Sequence, residues 1–198
     1  MSLSIPEIVQ LLNSRATTWY GQESVSQLEH ALQCADLAEK ADETPETVVA
    51  ALLHDLGHML STYRSSAVTG EVLDEVPAEA LPTDIMPTKD DLHQFVALPF
   101  LRSLFPDAVL EPIKLHVDAK RYLCAVDAGY WADLSPASKH SLELQGGTFD
   151  EKQVEAFEAL PFYAEAVRLR RYDDLAKVPG HPTPDLTHFE KLMSQVSV

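Results

Sequence analysis

The stretch Ala50-Ala51-Leu52-Leu53-His54-Asp55-Leu56-Gly57-His58 decides how the chain is read. An apolar helical run normally avoids setting two strongly polar side chains side by side, because each must find a partner when buried. A metal site gives them a reason to be there: a neutral imidazole and a carboxylate ligate from neighbouring backbone positions. Two questions follow, namely which other residues complete the ligand set and which chemistry they serve.

The run sits in a helical context. Thr44-Pro45-Glu46 predicts a helix start, and Val48, Val49, Leu52, Leu53 and Leu56 follow at helical spacing, with Gly57 placed to end the helix or turn the chain. Outward from it, Ser4-Ile5-Pro6-Glu7 predicts another start, with Ser4 as cap and Ile5, Ile8, Val9 and Leu12 behind it. Leu28, Ala31, Leu32, Ala35 and Ala38 mark a second helix. Pro77, Pro82 and Pro87 break the pattern over residues 66–92, which predicts an irregular excursion acting as a lid or an ornamented loop. Helical spacing resumes with Leu92, Phe95, Val96 and Phe100; Pro106 and Pro112 bracket a predicted short link before Ile113-Lys114-Leu115-His116. Further helices are expected around 136–144, 151–158, 161–173 and 184–195. With no alternating strand pattern, the expected fold is all-α, an irregular helical bundle forming one domain over 1–198.

Composition narrows the function. A content of 45% hydrophobic and 23% charged residues is that of an ordinary globular protein. The net charge of −16 repels phosphate backbones and anionic bilayers, so neither nucleic acid nor a membrane is an expected partner. No run approaches the ~18 apolar residues of a membrane span, and Met1-Ser2-Leu3-Ser4-Ile5-Pro6 lacks a basic region followed by an apolar core, so a cytoplasmic location is expected. Cys34 and Cys124 are outside any CxxC pair, which argues against a thiolate zinc site.

Eight histidines are present, and His30, His54, His93 and His116 lie in apolar helical contexts. Any one alone is more simply a satisfied structural histidine; together with Asp55 they make a ligand set. Nitrogen and oxygen donors without thiolate suit iron, manganese or magnesium better than structural zinc. Asp55, with two oxygens, is the natural bridge between two metals.

This ordered set resembles the HD-domain superfamily, an α-helical fold whose pattern adds a late aspartate; Asp173 and Asp174 are both placed for it in Arg170-Arg171-Tyr172-Asp173-Asp174. Within it, the chain resembles the PhnZ-like diiron oxygenases that cleave hydroxyphosphonates. The segments that carry the resemblance are Tyr20 to His30, Ala50 to His58, His116-Val117-Asp118-Ala119-Lys120-Arg121-Tyr122-Leu123, Leu134 to Ser138, Leu142 to Gly147 and Arg170 to Asp173. It departs from the family in Tyr172, where a tryptophan is usual, and in a longer excursion at 66–92. The resemblance selects Asp173 over Asp174 and implies two iron ions, mixed-valent Fe(II)/Fe(III), with O2 as co-substrate. It also implies that His58, Lys120, Ser138 and Arg170 bind the phosphonate. Tyr20 and Glu23 are implied to reach the metal and the substrate amine. On the residues alone, Lys120 with Arg121 also reads as a solvated helix face, His58 as a helix-end histidine, and Trp19-Tyr20 as a loop packing on the core.

The implied substrate is a small zwitterionic phosphonate, 1-hydroxy-2-amino- or 1-hydroxy-2-(trimethylammonio)ethylphosphonate. Cleavage would give phosphate with glycine or glycine betaine. A carboxylate beside aromatic faces suits a cation, and Trp19-Tyr20 leans towards the methylated one, hence the TmpB-like branch. The alternative reading is a metal-dependent HD phosphohydrolase of a small phosphorylated metabolite.

Overall fold

The computed structural model describes residues 2–14, 16–20, 23–60 and 87–198. Most of the proline-rich excursion, and the lid reading with it, lies outside them, as do Gly21 and Gln22. The described residues are helical without strands, apart from one antiparallel bridge between Trp19 and Ser26.

Helix α1 spans Ile5–Ser14, α2 Gln27–Lys40 and α3 Pro45–Leu53. Two short helices follow, α4 at His93–Val96 and α5 at Leu98–Leu101, then the long α6 at Asp107–Val126. Tyr130–Asp133 forms α7, Pro136–Leu144 α8, Glu151–Glu158 α9, Tyr163–Leu175 α10 and Leu186–Val196 α11. The starts follow from local chemistry. Ser26 and Glu29 close a reciprocal capping box on α2, and Asp150 and Gln153 do the same on α9. Thr44 and Ser135 cap α3 and α8 just before a proline whose missing N–H costs nothing there.

Two expectations need correction. Pro106 and Pro112 do not bracket a link: Pro106 precedes α6 and Pro112 lies inside it. Pro112 falls in the second turn, so a single N–H bond is lost and the helix continues. The third helix does not run through Leu56 unbroken; it turns at His54-Asp55, and residues 56–60 are helical again.

Helices α2, α3, α6 and α10 pack on one another around the core. Ala35, Leu52, Leu53, Ile113 and Leu169 are buried at their junction, and α1 and α11 cover the outer side with Ile8, Leu12, Phe189 and Met193. An interior of this kind holds side chains in fixed rotamers, so polar residues projecting from those four helices meet in a defined geometry.

Candidate active site

His30 comes from α2, His54 and Asp55 from the turn after α3, His93 from the start of α4, His116 from α6 and Asp173 from α10. All six are buried. Their polar atoms meet in two groups joined by Asp55. On one side, Asp55 Oδ2 lies 3.3 Å from His54 Nε2 and 3.7 Å from His30 Nε2. Asp173 stands on the same side, with Oδ1 at 3.5 Å from His30 Nε2. On the other side, Asp55 Oδ1 lies 3.4 Å from His93 Nε2 and 3.7 Å from His116 Nε2. The histidine pairs are close: 3.4 Å between the Nε2 atoms of His30 and His54, 3.0 Å between those of His93 and His116.

The tautomers follow from the opposite edge of each ring. Nδ1 of His30, His54 and His116 lies 2.8, 2.9 and 2.7 Å from the carbonyl oxygens of Ala176, Ala51 and Ile113. Nδ1 of His93 lies 2.8 Å from Asp91 Oδ1. A carbonyl or carboxylate only accepts, so each Nδ1 carries the hydrogen, and each ring in its neutral form turns an Nε2 lone pair inwards. Four lone pairs therefore converge on two carboxylates. Asp55 Oδ2 and Asp173 Oδ1 are buried without a hydrogen-bond partner. Such groups are costly unless a cation satisfies them. The donor set fits a pair of metal ions.

Electrostatics favour the neutral form for His30, His93 and His116, and positive charge at His54 when no cation is bound. Burial pushes each imidazole towards neutrality, taking His30 down to about 4 and His116 well below its usual range. Against that same cost of burial, the Asp55 carboxylate holds His54 up at about 9. The two carboxylates call for positive charge at this point. Cys34 Sγ is 3.6 Å from His30 Nε2, but burial and the neighbouring carboxylates push its thiol well up and keep it protonated, which makes it a poor donor.

Gly57 explains the motif's glycine. A Cβ there would stand 2.0 Å from the carbonyl oxygen of His93 and 2.9 Å from its Cα. The chain can bring His93 against the turn after α3 only with nothing on residue 57.

A cavity of about 470 Å³ opens over this cluster, reached by Tyr20, Glu23, His58, Lys120, Ser138 and Arg170. Lys120 lies one helical turn beyond His116 on α6, so both face inwards. It is 2% exposed and donates to Ser141 Oγ at 2.7 Å. Burial, with Arg170 beside it, lowers its ammonium to about 7. His58 stacks on His93, with Nδ1 2.6 Å from Asp91 Oδ2. Tyr20 stacks on His30 with ring centroids 3.8 Å apart.

Arg170 is less free than a ligand-binding arginine reads in sequence. Its Nη1 donates to Asp173 Oδ2 at 2.6 Å, its Nε to Tyr130 at 3.0 Å, and its Nη2 to Asp174. Asp173 is thereby oriented, and Asp174 faces Arg170 and Tyr130 instead of the histidines. Glu23 also has partners: it accepts from Ser135 Oγ at 2.8 Å and from Lys177 Nζ at 3.1 Å. Asp91 and Lys177 were not anticipated. Asp91 had a signal, a carboxylate two residues before His93, but it lies in an acidic run read as part of the excursion; for Lys177 the sequence carries none.

Residues 28–122 match the HD domain family. The chain is 42% identical over 185 residues to hydroxymethylphosphonate dioxygenase of Gimesia maris, covering 93% of this chain and 84% of that protein. It is 33% identical over 186 residues to the glycine-betaine-forming [1-hydroxy-2-(trimethylamino)ethyl]phosphonate dioxygenase of Leisingera caerulea, covering 94% and 86% respectively. A protein of Acanthamoeba polyphaga mimivirus without assigned function, L432, is 29% identical over 191 residues, covering 96% and 80%. With its helical fold and its clustered histidines and aspartates, the chain belongs to the HD-domain oxygenases of the PhnZ-like, phosphonate-cleaving family.

Proposed function

We propose that this protein is a diiron oxygenase that cleaves the carbon–phosphorus bond of a small 1-hydroxyphosphonate. His30, His54 and Asp173 would hold one iron, His93 and His116 the other, and Asp55 would give one oxygen to each. The observation that carries this reading is the division of the Asp55 carboxylate, Oδ2 towards His30 and His54 and Oδ1 towards His93 and His116. The nitrogen and oxygen donors suit iron, and the mixed-valent Fe(II)/Fe(III) state follows the family's chemistry. When bound, the metal pair supplies Lewis acidity and the activation of O2.

The chain's own residues do the rest. Lys120 offers a point charge from a buried position, and Ser138 a neutral donor, to the phosphonate oxygens. The Nη hydrogens of Arg170 left over from Asp173 and Asp174 add to this anion seat. His58, fixed through Nδ1 by Asp91, presents its Nε2 edge to the cavity. Tyr20 closes the side next to His30, and Glu23 lies beside the Ser138 end of the seat, joined to it through Ser135 and Lys177. The walls replace water with fixed donors around the reacting carbon.

The reaction balances without an outside reductant. For hydroxymethylphosphonate, a C1–H bond and the C–P bond break, and both oxygen atoms of O2 are consumed. The products are formate, phosphate and one proton. Substrates named for the two relatives differ in a cationic tail, so the zwitterionic class and the tail-free class are the two to compare. Iron-loaded protein examined by electron paramagnetic resonance should give a coupled mixed-valent signal that added hydroxyphosphonate perturbs. Full activity with magnesium or zinc alone would overturn the assignment.

A further inference from the structure

Lys177 was not part of any expected site, yet its side chain is mostly buried and its ammonium lies in the cavity wall. Its Nζ is 3.1 Å from Glu23 Oε1, 3.4 Å from Ser138 Oγ and 6.0 Å from the centre of the Tyr20 ring. A carboxylate and an aromatic face are the two features by which a site recognises an ammonium group. Here the protein's own ammonium already takes both.

The placement is built in. Just past the end of α10, the Ala176 carbonyl accepts from His30 Nδ1 at 2.8 Å. The next peptide but one is clamped at both ends by the buried Gln33: Gln33 Nε2 donates to the Val178 carbonyl at 3.0 Å, and the Val178 N–H donates to Gln33 Oε1 at 3.1 Å. Backbone held on either side of Lys177 fixes where its side chain leaves the chain. A surface lysine swinging through solvent has no such support.

We infer that Lys177 is a specificity residue: by pairing with Glu23 against Tyr20 it fills the ammonium seat of the cavity, so that the enzyme selects 1-hydroxyphosphonates lacking a cationic tail. This rests on the phosphonate-cleaving reading above and adds the substrate class. Volume does not decide the matter, since about 470 Å³ admits either class. Charge does: an incoming ammonium meets a neutralised carboxylate and a like charge beside it, the repulsive element by which binding sites reject a near neighbour. The lean towards a methylated cation drawn from Trp19-Tyr20 is therefore not carried into the substrate assignment.

The test is a binding titration of the metal-loaded protein without oxygen, so that affinity is read apart from turnover. The probes are hydroxymethylphosphonate and [1-hydroxy-2-(trimethylamino)ethyl]phosphonate. Wild type should bind the first more tightly by about tenfold or more. Lys177→Gln, with its metal content checked, should move the ratio towards the cationic probe by a similar factor of about ten. Glu23→Gln added to Lys177→Gln should cancel that gain, because the freed carboxylate is what attracts the tail. Equal or tighter binding of the cationic probe by wild type overturns the proposal, whatever the variants do. So does an unchanged ratio in a metal-replete Lys177→Gln protein. If the preference holds but later aeration releases no phosphate, the reaction fails and the specificity stands. If neither probe binds, the phosphonate reading and the role of Lys177 fall together.

Discussion

Asp91 shows how one side chain can set two others. Its oxygens lie 2.8 Å from Nδ1 of His93 and 2.6 Å from Nδ1 of His58. The same carboxylate thus orients a candidate metal ligand and a candidate substrate contact. Partners of this kind are worth about 10–100-fold in metal affinity or activity. Asp91→Ala should therefore lower both metal occupancy, measured by elemental analysis, and kcat/KM. Lys120 carries a pH dependence with a definite sign. Buried beside Arg170, its ammonium is lowered to about 7; it is charged below that value and neutral above it. An anionic phosphonate needs the charged form, so kcat/KM should fall as pH rises through about 7 on account of this residue. Lys120→Arg stays charged over the whole range, and its pH profile should lose that alkaline limb. A limb that persists unchanged in the arginine variant removes Lys120 as its cause. At this scale the sequence is informative where a polar residue interrupts an apolar helical run, as at His30, His54-Asp55 and His116. It is silent on Lys177, because a lysine at a helix end reads as an ordinary solvated charge. It also hides how Arg170 is shared among Asp173, Asp174 and Tyr130.

At the scale of elements, the turn after α3 and the start of α4 have to touch, and Gly57 is the point of contact. A methyl group at 57 would meet His93 backbone, which has no flexible end to swing aside. Gly57→Ala should cost about 1–3 kcal/mol or more in thermal or denaturant unfolding. It should also shift His93, so metal titration should show a weakened site on the His93–His116 side. Most helices were legible: Thr44-Pro45 marks a start where the chain begins one, and the helices expected around 136–144 and 151–158 are found there. The failures have local causes. Pro112 looked like a boundary because proline usually ends a helix, but α6 begins only five residues earlier and loses one bond in passing. The interruption at His54-Asp55 was hidden by the unbroken apolar spacing around it. That interruption aims both side chains inwards, and spacing alone does not report it.

For the whole molecule, a chain of net charge −16 brings Lys120, Arg170 and Lys177 to one opening beside the carboxylates of Glu23, Asp55 and Asp173, so anion binding there would rest on these local basic groups and on bound metal, against the field of the acidic surface. No helix among the described residues is long and apolar enough to cross a membrane. The six candidate ligands come from α2, the turn after α3, α4, α6 and α10, so metal binding would tie the bundle together across most of its length. We propose that the chain unfolds as one unit, which calorimetry would report as a single transition. Metal at a hundredfold excess over its dissociation constant adds about 2.7 kcal/mol of stability. Chelation should then lower the melting temperature by about 5–10 °C for a chain of this size. Two transitions, or a melting temperature indifferent to chelation, would contradict that reading.

Oxidative cleavage at a metal pair that Asp55 would bridge is tested by phosphate release from hydroxymethylphosphonate by iron-loaded protein, followed with and without oxygen. One O2 should be consumed for each phosphate formed, with no release under strict anaerobiosis. Equal phosphate release in the absence of oxygen would contradict it.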